Sequence, residues 1–155
     1  MSNSFVQLFE TPVFWAPLCA WVTAQFTKML VSCWRTHRLD FSYLVSLGGM
    51  PSAHSASVSA LATVVGLREG FGSSLFVVAL GFAMVVMFDA ATVRRAAGMQ
   101  ARLLNEIIDE MFKEHRFSER KLGELLGHTR VEVLMGLLVG ILMALLVESI
   151  AVFMT

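Results

Sequence analysis

The chain has 155 residues, 56% of them hydrophobic and only 15% charged, with a formal net charge of zero. Soluble domains carry roughly a quarter charged residues, so this composition excludes an ordinary soluble globule and leaves one compact membrane unit over the whole chain as the expectation. With no net charge, any partner must be inferred from where charges sit, and no nucleic-acid partner is expected.

Taken in chain order, the N-terminal run MSNSFVQLFE has neither a basic n-region nor a small-residue cleavage site, so the first apolar segment is expected to remain in the mature protein. A hydrocarbon core about 30 Å thick requires roughly 20 apolar residues in a helix, a template met by Pro12 to Trp34, Ser73 to Val93 and Val131 to Phe153. Cys19 and Cys33, in the first of these, show neither CxxC nor Cys/His metal spacing and read as small packing residues; no metal or cofactor is expected. Pro51 to Leu67 is shorter and rich in Ser, Ala and Thr, as expected of a span that faces other helices and a polar pocket. A tight turn over Arg68 to Ser74, with Gly70 and Gly72, joins it to the next span. From about 99 to 125 the chain turns mixed in charge, and Leu103, Leu104, Ile107, Ile108, Met111 and Phe112 recur at helical spacing. That rhythm predicts an amphipathic helix at the interface or over the bundle, with a second helix capped by Ser118 as a variant. The expected architecture is therefore all-α: about four transmembrane helices plus an interfacial helix.

Antiparallel spans place the end of the first, the start of the second, the end of the third and the start of the fourth on one membrane face. Of the twelve Lys and Arg residues, all but Arg68 fall on that face, which the positive-inside tendency makes cytoplasmic.

The same face collects the residues able to do chemistry. Lys28 and Arg35 lie nearly two helical turns apart on one helix face and can bracket an anion; the alternative is snorkelling toward headgroups. In GGMPSAHS, the glycines permit a turn, Pro51 suits a first helical position, and the following N–H groups offer an anion seat. Ser52 adds a hydroxyl and His54 a proton donor, against the alternative of a simple helix cap. His128 and Glu132, at i and i+4, can act as an imidazole nucleophile and the carboxylate that orients it, or equally as a helix-start cap pair. Asp89 needs a cationic partner at membrane depth, and Arg94 and Arg95 on this face are the obvious ones; a structural ion pair explains it better than a chemical role does.

The order Lys28-x6-Arg35, Pro51-Ser52-Ala53-His54 and His128-x3-Glu132 resembles the three-part signature of the type 2 phosphatidic acid phosphatases, a superfamily shared with the vanadium haloperoxidases. The runs GGMPSAHSA, FDAATVRRAAGMQA and LLGHTRVEVLMG resemble more closely its divergent branch of small bacterial and plant membrane proteins. The resemblance implies that Lys28, Arg35, Ser52 and the N–H groups near Ala53 hold phosphoryl oxygens, that His54 is the general acid, and that His128 attacks phosphorus while Glu132, in place of the usual Asp, orients it. The chain departs from the pattern at Thr36 (usually Pro), Ala53 (usually Gly) and Leu122 (usually Arg), for which Arg94 or Arg95 is the substitute.

The expected function is a lipid phosphate or diphosphate phosphatase in a bacterial inner membrane, acting through a phosphohistidine on a lipid substrate, with Gln100 to Phe112 as a lid or lipid-facing wall and a homodimer compatible with such short spans. Its rivals are a non-catalytic anion- or lipid-binding membrane protein and a purely structural bundle. The missing Arg before His128 favours the non-catalytic rival.

Overall fold

A computed structural model describes residues 4–37, 49–111 and 128–154. All regular structure among them is α-helical: α1 (Ser4–Glu10), α2 (Pro12–Thr36), α3 (Ala53–Glu69), α4 (Ser74–Ala91), α5 (Val93–Met111) and α6 (Arg130–Met154). The proposed second amphipathic helix at Ser118, the end of the expected amphipathic segment and Leu122 lie outside the described residues. So do the side chains of Arg35, Arg94 and Arg95.

Helix starts follow local chemistry. Thr11 caps α2, its hydroxyl accepting the Val13 N–H at 3.3 Å, and Pro12 occupies the first turn, where its missing N–H costs nothing. Ser73 caps α4 by accepting the Phe76 N–H at 3.1 Å. Between α3 and α4, Gly70 adopts φ +87°, a conformation that favours glycine, and its carbonyl accepts the Ser73 N–H. Pro51, expected at a first helical position, instead precedes the cap: Ser52 is the N-cap of α3 and Ala53 its first helical residue.

α3 occupies the centre and packs against α2, α4 and α6. It can do so because its surface is made of small residues, as the Ser/Ala/Thr composition led one to expect. Its main partner, α6, meets it with a seam of Gly136, Gly140 and Ala144, all buried. A Cβ at Gly140 would run into the Ala56 carbonyl and Ser59 Oγ, and one at Gly136 into the Ser52 carbonyl. Backbones this close let Ser59 Oγ donate to the Leu137 carbonyl across the seam at 3.2 Å. Ala16, Ala20 and Ala24 of α2 complete this core against Ala53, Ala56, Ala60 and Val64.

The outside is the reverse. α4 buries only Ala79, Ala83 and Ala90 and exposes Leu75, Val78, Phe82, Val85 and Phe88; α6 exposes Leu134, Leu138, Leu142, Leu145 and Ile150. Small residues inside and large apolar ones outside suit a protein whose solvent is lipid. Two helical stretches, within Ser74–Ile108 and Arg130–Met154, are long and apolar enough to cross a membrane. The other two expected spans coincide with α2, 25 residues, and α3, 17 residues, which carry polar residues into the bundle interior.

One boundary differs from expectation. α5 begins directly after α4, because Thr92 nearly continues the helical ladder: its N–H donates to the Phe88 carbonyl at 3.0 Å and its hydroxyl to the same carbonyl at 2.6 Å. Arg94 and Arg95 thus belong to the first turn of α5. This helix is amphipathic as predicted. It exposes Met99, Leu103, Leu104 and Ile107, carries an exposed Arg102–Glu106 pair at 3.1 Å, and buries Ala101 and Asn105.

Candidate phosphoryl site

Four helix ends converge at one end of the bundle. The Ser52 N–H donates to the Glu132 carbonyl at 2.9 Å, joining the starts of α3 and α6, and the His128 N–H donates to the Ala90 carbonyl at 3.2 Å, joining α6's entry to the end of α4. The end of α2 closes the group through a cleft of about 250 Å³, lined by Lys28, Val31, Ser32, Thr36, Gly49, Met50, Thr129 and Glu132. Gly49 sits at φ +94°, where a Cβ would be strained, and packs beside the methylenes of Lys28.

His128 is 2% exposed, and its Nδ1 lies 3.1 Å from Glu132 Oε2. The same oxygen accepts the Thr129 N–H at 3.0 Å, while Thr129 Oγ1 accepts the Glu132 N–H at 3.3 Å. This is a reciprocal capping box, Thr at the N-cap and Glu three residues on. One carboxylate thus both caps α6 and holds the imidazole. A carboxylate on Nδ1 favours the tautomer in which Nδ1 carries the proton and Nε2 has its lone pair available.

Lys28 is nearly fully buried, faces the cleft and lies within electrostatic range of Glu132. Ser52 is placed otherwise than expected. Its side chain is wholly buried, and its Oγ accepts the Ser55 N–H at 3.4 Å and the Ser55 hydroxyl at 3.1 Å, so it points into the α3 cap and not into the cleft. Ala53 is buried, and its N–H, at the first helical position, has no intrahelical acceptor. His54 is half-buried in the first turn of α3 and is not part of the cleft lining; Asp89 is half-buried in the last turn of α4, next to the Ala90 carbonyl that holds His128. Sequence reading missed Ser32, Thr36 and Thr129. The first two were visible as a stripe with Lys28 at intervals of four residues, and Thr129 as the Thr-x-x-Glu of a capping box. Among the described residues no three His, Cys, Asp or Glu side chains gather into a metal-binding group.

The model of the Divergent PAP2 family matches residues 9–143, which include α2 to α5 and the half of α6 that reaches this site. The chain belongs to that family. It is also 42% identical, over 83% of its own length and 88% of the relative's, to an uncharacterized membrane protein of Bacillus subtilis (strain 168), YuiD. The match extends the family assignment to a membrane protein, in keeping with the lipid-suited exterior of the bundle. No solved structure matches the chain.

Proposed function

We propose that this Divergent PAP2 protein is a lipid phosphatase of the bacterial inner membrane, hydrolysing a phosphomonoester or diphosphate on a membrane lipid at the cytoplasmic face. In this reading α2, α3, α4 and α6 all span the bilayer, α5 lies at the interface as a wall to the site, and two copies form a homodimer. The cleft receives the phosphoryl group, whose oxygens are held by Lys28, Arg35 and the Ala53 N–H, with Arg94 and Arg95 standing in for the Arg the chain lacks. His128 Nε2 attacks phosphorus, the bond to the leaving oxygen breaks, and His54 protonates that oxygen. His54 then takes a proton from water, which attacks the phosphohistidine and releases orthophosphate and His128. Ser52 acts by capping α3 and so aiming Ala53 and His54. Asp89 balances the arginines.

The observation that carries this reading is the Glu132 carboxylate 3.1 Å from His128 Nδ1 beside a cleft containing a buried lysine. A non-catalytic anion-binding protein is the second reading, favoured by His128 being 2% exposed and absent from the cleft lining. Phosphate release from phosphatidate, phosphatidylglycerol phosphate and polyprenyl diphosphate, by detergent-purified protein and by His128→Ala, decides between them. The phosphatase reading expects release from at least one substrate and none in the variant. Absence of release from folded wild-type protein overturns it in favour of the binding protein.

A further inference from the structure

Ser52 brings a puzzle with it: the hydroxyl that the family resemblance assigns to the phosphoryl seat is buried inside the α3 cap. The cleft nevertheless contains another. Ser32 lies one helical turn beyond Lys28 on α2, lines the same cleft, and is 9% exposed. Hydroxyls on helices ordinarily bond back to the carbonyl four residues earlier. Thr27, Thr36, Thr63, Thr92 and Ser149 all do so here, at 2.6 to 2.9 Å. Ser32 does not: among the described residues its hydroxyl makes no such bond, and its carbonyl is what accepts from Thr36. A hydroxyl on a residue nine-tenths buried, turned into a cleft beside a lysine and not spent on its own helix, is a donor available to a ligand there.

We propose that Ser32, not Ser52, is the hydroxyl ligand of this site, donating to an oxygen of a tetrahedral phosphate anion held by Lys28. Lysine and serine at i and i+4 present an ammonium and an O–H on one helix face, a spacing matched to two oxygens of one phosphoryl group. The cleft volume of about 250 Å³ admits a phosphate or diphosphate but not a whole phospholipid, so the rest of a lipid would lie outside it. Val31 and Met50, the apolar members of the lining, would meet the first carbons. The proposal rests on the cleft being the phosphoryl seat of the proposed function, but it requires only binding and not turnover.

The test measures binding of orthophosphate, orthovanadate and dioctanoyl phosphatidate to the purified full-length protein in detergent, by calorimetry, for wild type, Ser32→Ala, Ser32→Thr and Ser52→Ala, with thermal unfolding of each. Loss of one hydrogen bond to a charged ligand predicts about tenfold weaker binding in Ser32→Ala, at unchanged melting temperature. Ser32→Thr, which keeps the hydroxyl, should restore affinity. Ser52→Ala should lower the melting temperature, as expected for loss of a cap, and weaken the affinity of the folded fraction less than Ser32→Ala does. Binding of phosphatidate without orthophosphate would identify the ligand as a lipid headgroup; binding of both would identify the free anion as sufficient. Either supports the proposal if Ser32→Ala weakens it. Wild-type affinity in Ser32→Ala, a Ser52→Ala variant that alone loses binding, or a wild type that binds none of the three anions overturns it. Binding with no phosphate release would sink the phosphatase reading and leave Ser32 in place.

Discussion

The two ends of the helical bundle handle their polar residues in opposite ways. At one end, Lys28, Ser32, Ser52 and His128 are withdrawn from the surface, and bonds between helices hold the chain that carries them: Ser52 N–H to the Glu132 carbonyl and His128 N–H to the Ala90 carbonyl. At the other, Arg68 pairs with Glu148 at 3.0 Å, and both side chains stay partly exposed. Around that pair lies a larger and mostly apolar groove of about 520 Å³, bordered by Phe9, Trp15, Val147, Ile150 and Met154. Size alone would favour this second end over the one proposed to bind phosphate. Burying polar groups in a membrane bundle is costly, so an end that does it repeatedly, on chain held by main-chain bonds between helices, is the end on which the phosphatase reading rests. An exposed ion pair beside aromatics is what an interfacial anchor requires.

That contrast can be broken by substitution. The largest effect is expected between the ends, in the seam that holds them in register. Gly140→Leu drives a side chain into the Ala56 carbonyl and Ser59, and should cost about 3 kcal/mol or more, read as loss of the monodisperse folded form in detergent. Retention of the wild-type melting temperature would show that α3 and α6 do not touch there. Next comes Glu132→Gln. Glutamine preserves a capping box, so stability should hardly move, but it removes the charge that balances a protonated His128. Under the proposed phosphatase function, turnover is therefore expected to fall about a hundredfold or more, with KM less affected. A parallel drop in melting temperature and turnover would instead reduce Glu132 to a cap. The smallest effect belongs to the far end: Arg68→Ala and Glu148→Ala, singly and together, should each change stability by no more than about 1 kcal/mol and leave phosphate release unaltered. A strong loss of activity in either would overturn the division of labour between the ends.

Much of this was legible beforehand. The helices α3, α4 and α6 begin and end within two residues of the segments marked by apolar length, and α2 runs two residues beyond Trp34. The reason is that caps such as Ser73, and turn residues such as Gly70, act locally. The meeting of four helix ends also followed, from simple alternation of direction. What escaped was any feature decided by rotamer or by close approach. The hydroxyl of Ser52 turned inward because Ser55 lies one turn above it. That of Ser32 attracted no notice because serine in an apolar run usually bonds to its own helix. The glycines of α6 read as ordinary apolar-span residues until α3 was packed against them. The start of α5 was placed too late because Thr92, a poor helix former, here completes the ladder from α4.

The two bonds that fix His128 and the start of α3 have a consequence for how sequence can drift. Both run from a backbone N–H to a backbone carbonyl, so neither depends on which side chain stands at Ser52, Ala90, His128 or Glu132. A frame built from the peptide itself is indifferent to spelling. Replacements at positions such as Ala53 and Glu132 can therefore leave the helix ends that define the site where they are.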